Sequence, residues 1–140
     1  MNNKKILIVD DDPDVRRGLQ VRLKANHYET LFASDGITTI AEARKHQPDL
    51  IILDLGLPAG DGFAVMDLLS SNDALSVIPI IVVSGRDRFA NRDKALQAGA
   101  CAFFQKPVDN HSLVATIRKV LGQRRVVADA FVHDLGEISS

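Results

Sequence analysis

Along the chain, short apolar runs alternate with longer stretches in which apolar residues recur every three or four positions. The runs cover residues 6–9, 31–33, 50–53, 78–83 and 102–104. Each is too short for a helix, is rich in β-branched or aromatic residues and is bounded by turn formers, so each predicts a strand. Their polarity is continuous rather than alternating, which fits strands buried on both faces of a parallel sheet. Between them the period changes to that of a helix. Asp12 is a natural N-cap and Pro13 suits the first turn that follows, with Val15, Leu19 and Leu23 on one face. Residues 36–46 carry Ile37, Ile40, Ala41 and Ala43, and residues 63–69 carry Val65, Met66 and Leu69. Residues 88–98 carry Phe89, Ala95 and Leu96 and are expected to stop at Gly99. Residues 110–121 carry Leu113, Val114, Ile117 and Leu121 and are expected to stop at Gly122.

The resulting β-α alternation, five times over, predicts an α/β fold. A parallel sheet is wound with right-handed crossovers and has helices on both faces. With 140 residues there is one domain, expected over residues 1–122, and a tail, residues 123–140. In that tail Val127, Phe131, Leu135 and Ile138 fall at near-helical spacing, which allows a short amphipathic helix or the start of a linker.

Composition narrows the function. Seventeen basic residues against eighteen acidic ones give a net charge of −1, which speaks against direct nucleic-acid binding. The single Cys101 has no disulfide partner, and the four histidines are scattered rather than spaced as a metal cage. No apolar run approaches the ~20 residues that span a bilayer, and the first run is too short for a signal peptide, so a cytoplasmic location is expected.

In an open parallel sheet the functional crevice lies at the carboxyl ends of the strands. Asp10, Asp11 and Asp12 follow the first run, Asp54 ends the third, Ser84 ends the fourth and Lys106 follows the fifth. Taken singly, each has an ordinary reading: Asp12 is a helix cap, Ser84 a turn serine, Lys106 a solvated lysine. Their convergence on one edge of one sheet is what carries weight. Two carboxylates about 5 Å apart repel by roughly 3 kcal/mol at an effective dielectric near 20. A hard divalent cation relieves that, and magnesium needs only one or two carboxylates plus a phosphate oxygen. An acid cluster with a lysine and a hydroxyl is a receptor for a phosphoryl group and its metal.

The chain resembles the receiver domain of two-component response regulators. The segments that carry the resemblance are Ile-Leu-Ile-Val-Asp-Asp-Asp-Pro at 6–13 and Pro-Asp-Leu-Ile-Ile-Leu-Asp-Leu-Gly-Leu-Pro at 48–58. Further on come Gly-Asp-Gly at 60–62, Ile-Ile-Val-Val-Ser-Gly at 80–85 and Gly-Ala-Cys-Ala-Phe-Phe-Gln-Lys-Pro at 99–107. The resemblance implies a flavodoxin-like, doubly wound five-stranded sheet in the order 2-1-3-4-5 with five helices. It implies that Asp54 is the phosphoacceptor, served by a histidine kinase or phosphotransfer protein. It also implies that Asp10, Asp11, Asp54 and the Gly56 carbonyl hold Mg2+, and that Lys106 and Ser84 each contact a phosphoryl oxygen. The Lys106–Pro107 peptide is expected to be cis. Ser84 and Phe103 are expected to form the switch, Phe103 turning inward as Ser84 moves. The surface of helix four, strand five and helix five would then control a downstream protein, a linked output domain or a second copy of the chain. Catalysis would be confined to the domain's own phosphorylation and dephosphorylation, with no membrane contact.

Gly56 and Arg86 occupy positions whose side chains, in the family, tune the attack of water on the phosphoryl group. An aspartyl-phosphate phosphatase would carry a second acid two residues after its nucleophile, where this chain has Gly56. A flavodoxin-like cofactor binder would need a phosphate-cradling loop where this chain has three aspartates. The remaining alternative is an interaction module of the same fold that works without phosphorylation.

Overall fold

The predicted runs and helices are present as β1 (Lys5–Val9), α1 (Pro13–Ala25), β2 (Glu29–Ala33), α2 (Gly36–His46), β3 (Leu50–Leu53), α3 (Gly62–Ser70), β4 (Ile80–Ser84), α4 (Arg88–Gln97), β5 (Ala102–Gln105) and α5 (Asn110–Val132). The structure, a computed structural model, is described for residues 3–57 and 62–132, the side chains of residues 88 and 123–132 excepted. Pro58, Gly60 and Asp61 of the motifs above, and Leu135 and Ile138 of the tail, lie outside the described residues.

All four strand pairs are parallel, and the sheet order is β2-β1-β3-β4-β5. Successive side chains of a strand point to opposite faces, and this sorts the core into two layers. Leu7, Val9, Ile51, Leu53 and Val82 pack under α2, α3 and α4. Ile6, Ile8, Leu50, Ile52, Ile81 and Val83 pack under α1 and α5. The three central strands are buried on both faces, while edge strands β2 and β5 are only half covered. That is why the apolar runs at 31–33 and 102–104 are the weaker ones in the sequence.

The caps follow ordinary helix chemistry. The Asp12 side chain accepts from Asp14 N–H with Pro13 in the first turn of α1, and Asp35 forms a reciprocal capping box with Thr38 at α2. The chain leaves α4 through Gly99, whose φ of +112° is one that residues with a Cβ rarely adopt.

Three expectations need correction. Helix α5 does not stop at Gly122 but runs on to Val132. Gly122 has no left-handed φ, and the Gln-Arg-Arg that follows favours continuation, so the glycine is carried inside the helix at about 1 kcal/mol relative to alanine. Ile37 is 85% exposed and Phe89 is 95% exposed, so neither belongs to the core. The buried positions Thr39 and Ala43 define the inner stripe of α2, and Ile37 lies about 200° round the helix from Thr39. Phe89 is likewise about 240° from the buried Ala95 of α4.

Gly62, the first residue of α3, holds the layer beneath the site. A Cβ built there would stand 2.6 Å from Leu55 Cα and 2.8 Å from the Asp54 carbonyl oxygen. Both are backbone atoms and cannot rotate away. Gly62→Ala is therefore expected to destabilise the domain by about 1–3 kcal/mol, as overpacking does elsewhere. Urea unfolding of the variant beside the parent chain measures it; equal midpoints would show that α3 shifts without cost.

Candidate functional site

The site forms where the backbone ladder runs one residue past the strands. Asp10 N–H donates to Ala33 O at 3.1 Å, Asp54 N–H to Val9 O at 2.9 Å and Lys106 N–H to Ser84 O at 2.8 Å. These bonds set Asp10, Asp54, Ser84 and Lys106 along one edge, because the strands beneath them are in parallel register.

Asp10 and Asp54 are buried and Asp11 is exposed. One carboxylate oxygen from each of the three lies within 4.8 Å of the others. Lys106 Nζ donates to Asp10 Oδ2 at 2.8 Å and to Asp54 Oδ2 at 3.4 Å. The second oxygens are held by the backbone: Asp12 N–H donates to Asp10 Oδ1 at 2.9 Å and Gly56 N–H to Asp54 Oδ1 at 3.1 Å. Three carboxylates with one ammonium between them leave an excess of negative charge in a small space. All the donors are hard oxygens, and the deficit is that of a divalent cation. The residues present therefore fit magnesium.

The electrostatics agree. Burial is the largest influence on Asp10 and, helped by the field of Asp54, pushes its carboxyl above the ordinary aspartate range despite the hydrogen bonds from Lys106 and Asp12. Burial also works against the charged form of Lys106, but the hydrogen bond to Asp10 and the fields of Asp10 and Asp54 overcome it and hold the ammonium above the usual lysine value. Ionised Asp10 thus opposes folding at neutral pH. Its penalty vanishes below the ordinary aspartate value, about 3.9, and sets in as pH rises through the raised native one. Metal-free Asp10→Asn, which keeps an oxygen for Asp12 N–H, is expected to melt a few degrees above the parent at pH 7. Thermal melts at pH 7 and pH 4 check this. The gap should narrow in acid, and a lower melting point at pH 7 would contradict the reading.

Ser84 is fully buried, and its Oγ accepts from Arg86 N–H at 3.2 Å. Among the described residues its hydroxyl makes no hydrogen bond to the side chain of Asp54 or Lys106. The structure thus brings the three acids and the lysine into mutual contact and leaves Ser84 beside them. Phe103 is half-buried and packs against the core layer under α2–α4, so it is neither swung fully out nor sealed in. Its neighbour Phe104 faces the opposite layer. The Lys106–Pro107 peptide is cis, as expected.

Sequence reasoning assigned Gly56 through its carbonyl; the structure shows its N–H at work on the nucleophile candidate. An aspartate bonded to the backbone two residues on is a common turn pattern, so the Asp-Leu-Gly spacing was a usable signal. A Cβ at Gly56 would lie 3.7 Å from Asp54 Oδ1, so a side chain there would stand over the carboxylate. Two other contacts had no sequence signal. Lys94 Nζ sits 4.2 Å from the centre of the Phe63 ring, tying α4 to α3. Thr39, fully buried, satisfies its hydroxyl on Asp35 O at 2.6 Å.

A doubly wound parallel sheet with an acid cluster and a lysine at its carboxyl edge puts its charged groups in the crevice where open α/β domains bind their ligands. Comparison with known proteins identifies the family. The model of the response regulator receiver domain matches residues 6–118. The chain is 35% identical over 123 residues to Response regulator PleD of Caulobacter vibrioides, covering 88% of this chain and 27% of that protein. It is 32% identical over 124 residues to Transcriptional regulatory protein KdpE of Mycobacterium tuberculosis, covering 89% of this chain and 54% of KdpE. Among solved structures, a putative response regulator from Chloroflexus aurantiacus superposes with a TM-score of 0.82 at 26% identity, over 86% of this chain and 99% of that one. The chain belongs to the response regulator receiver domain family of two-component signalling. It spans about a quarter of PleD and half of KdpE. No helix among the described residues is long and apolar enough to cross a membrane.

Proposed function

We propose that this receiver accepts a phosphoryl group on Asp54 from the phosphohistidine of a histidine kinase or phosphotransfer protein, with Mg2+ as cofactor. The observation that carries it is the meeting of Asp10, Asp11 and Asp54 within 4.8 Å around one lysine that reaches two of them. A carboxylate oxygen of Asp54 bonds to phosphorus as the phosphorus–nitrogen bond breaks, and the imidazole keeps the electron pair. A carboxylate is a weak nucleophile, so alignment and charge neutralisation must supply the rate. Gly56 N–H orients the carboxylate, and Lys106 exchanges its bond to Asp54 for one to a phosphoryl oxygen. The buried Ser84 hydroxyl turns from Arg86 N–H to another phosphoryl oxygen. Asp10, Asp11, Asp54 and the Gly56 carbonyl are the groups that would hold the metal, which when bound offsets the charge of the acids and of the transferring group.

The same contacts make a switch. When Ser84 moves, Phe103, already half-buried against the core, fills in behind it and shifts the balance of two arrangements of α4, β5 and α5. That surface then acts on a downstream protein, a linked output domain or a second copy. The domain transforms no substrate but itself, and the kinases it would serve place it in the cytoplasm.

Intact mass after incubation with acetyl phosphate, with and without magnesium, tests the reading. One added phosphoryl group that requires magnesium is expected. An unchanged mass together with no binding of beryllium fluoride, a stable phosphoryl mimic, would overturn it in favour of a docking module that works without phosphorylation.

A further inference from the structure

A groove of about 440 Å³ lies between α1 and α5, on the layer opposite α2–α4. It is lined by Arg22 and Asn26 of α1, by Asp109 before α5, and by His111, Val114 and Arg118 of α5, among others. Its volume is within the range of small-molecule sites, but its lining is mostly polar where such sites are mostly apolar. Nothing in the phosphoacceptor chemistry uses it.

The charges in it are unevenly satisfied. Among the described residues neither Arg22 nor Arg118 has a carboxylate partner. Arg118 Nη2 instead donates to the neutral Asn26 Oδ1 at 2.7 Å. Asn26 is itself pinned, its Nδ2 donating to Arg22 O at 2.9 Å. The Arg118 guanidinium is therefore held in place across the groove by an amide, with most of its donors left over. The acid in the lining is already engaged: Asp109 Oδ2 accepts from Ser112 Oγ at 2.7 Å and Oδ1 from His111 N–H at 3.2 Å. Those bonds hold its carboxyl below the ordinary aspartate range and turn its charge to capping α5.

The two walls reinforce the sign. Of the basic residues of α1 and of residues 110–122 of α5, Arg22 and Arg118 are the ones that line the groove, and among the described residues Asp109 is the one acid in the lining. Two guanidiniums against one carboxylate leave the groove with a net positive charge. A guanidinium fork matches phosphate and carboxylate oxygens two at a time, and a pre-positioned one gives up less freedom on binding.

We infer that the α1–α5 groove is a binding site for a small polyanion, a molecule that carries two or more phosphate or carboxylate groups and bridges Arg22 and Arg118. The site is independent of the phosphoacceptor and would stand even if Asp54 took no phosphoryl group.

Amide-resolved NMR titration of the full chain with pyrophosphate, without divalent metal and at constant ionic strength, tests this. Saturable shifts at Asn26 and along residues 110–118 are expected. They should weaken at least tenfold in Arg22→Gln/Arg118→Gln and persist in Asp54→Ala, which separates the groove from the site around Lys106. Both arginines are exposed, so the double variant should keep the dispersed spectrum of the parent. A parallel titration with citrate separates the sources. Equal binding assigns the groove to polyanions in general, and binding of pyrophosphate alone assigns it to phosphate compounds. Shifts that sodium chloride reproduces, or that survive in the double variant, would overturn the inference.

Discussion

Asp54→Asn is expected to leave the chain folded and unable to take a phosphoryl group from acetyl phosphate at any magnesium concentration. The asparagine oxygen can still accept the Gly56 N–H that Asp54 Oδ1 accepts at 3.1 Å, so the turn after β3 survives. What disappears is the anionic oxygen that attacks phosphorus, and no neighbour replaces it. Asp10 is engaged by Lys106 and Asp12 N–H, and Asp11 is exposed beyond the edge of β1. Removing one of three clustered charges also relieves repulsion of roughly 3 kcal/mol per pair at about 5 Å and a dielectric near 20, against which the long bond to Lys106 is lost. The variant is therefore expected to be no less stable than the parent without metal. Intact mass and a thermal melt on the same sample check both halves. A phosphoryl adduct on the variant would move the acceptor to another carboxylate.

Lys106→Met is expected to slow phosphoryl uptake by about 10²–10³, the usual effect of deleting one pre-organised donor from a transition state. Methionine keeps much of the apolar stem and deletes only the ammonium that reaches Asp10 and Asp54. The same change is expected to reduce stability by about 1–3 kcal/mol at neutral pH, since two buried carboxylates lose their countercharge. Because the native pKa of Lys106 is raised, its contribution is complete below the ordinary lysine value of about 10.4 and is lost as pH rises through the native one. The deficit of the variant should therefore close in strong alkali. It should also shrink in acid, where Asp10, freed from the lysine that lowers its pKa, takes up a proton more readily. Urea unfolding across pH, beside rates of adduct formation, tests the pair. A variant equal to the parent in rate would remove Lys106 from the chemistry while leaving it a structural ion pair.

Much of this was legible without coordinates, because it rests on local rules. A run such as residues 50–53, too short for a helix and bounded by turn formers, reads as a strand buried on both faces, and Asp12 with Pro13 starts a helix through a bond that spans two residues. The alternation of such elements implies a parallel sheet, and that sheet delivers Asp10, Asp54, Ser84 and Lys106 to one edge whatever packs around it. The tertiary structure decided whatever depends on distance between remote residues. It decided that Lys106 reaches both Asp10 and Asp54, 96 and 52 positions away. It decided that Gly62 must lack a side chain because the backbone of Asp54–Leu55 runs against it. It left Ile37 and Phe89 in solvent, since which stripe of a helix is buried depends on how the helix lies on the sheet. It carried α5 past Gly122, because a glycine ends a helix only where the chain turns left-handed. The α1–α5 groove has the same origin: Asn26 and Arg118, 92 positions apart, meet only when two helices share one face of the sheet. A sequence specifies its own neighbours through short-range sterics and hydrogen bonds, whereas contacts between distant segments are set by how the packed layers close.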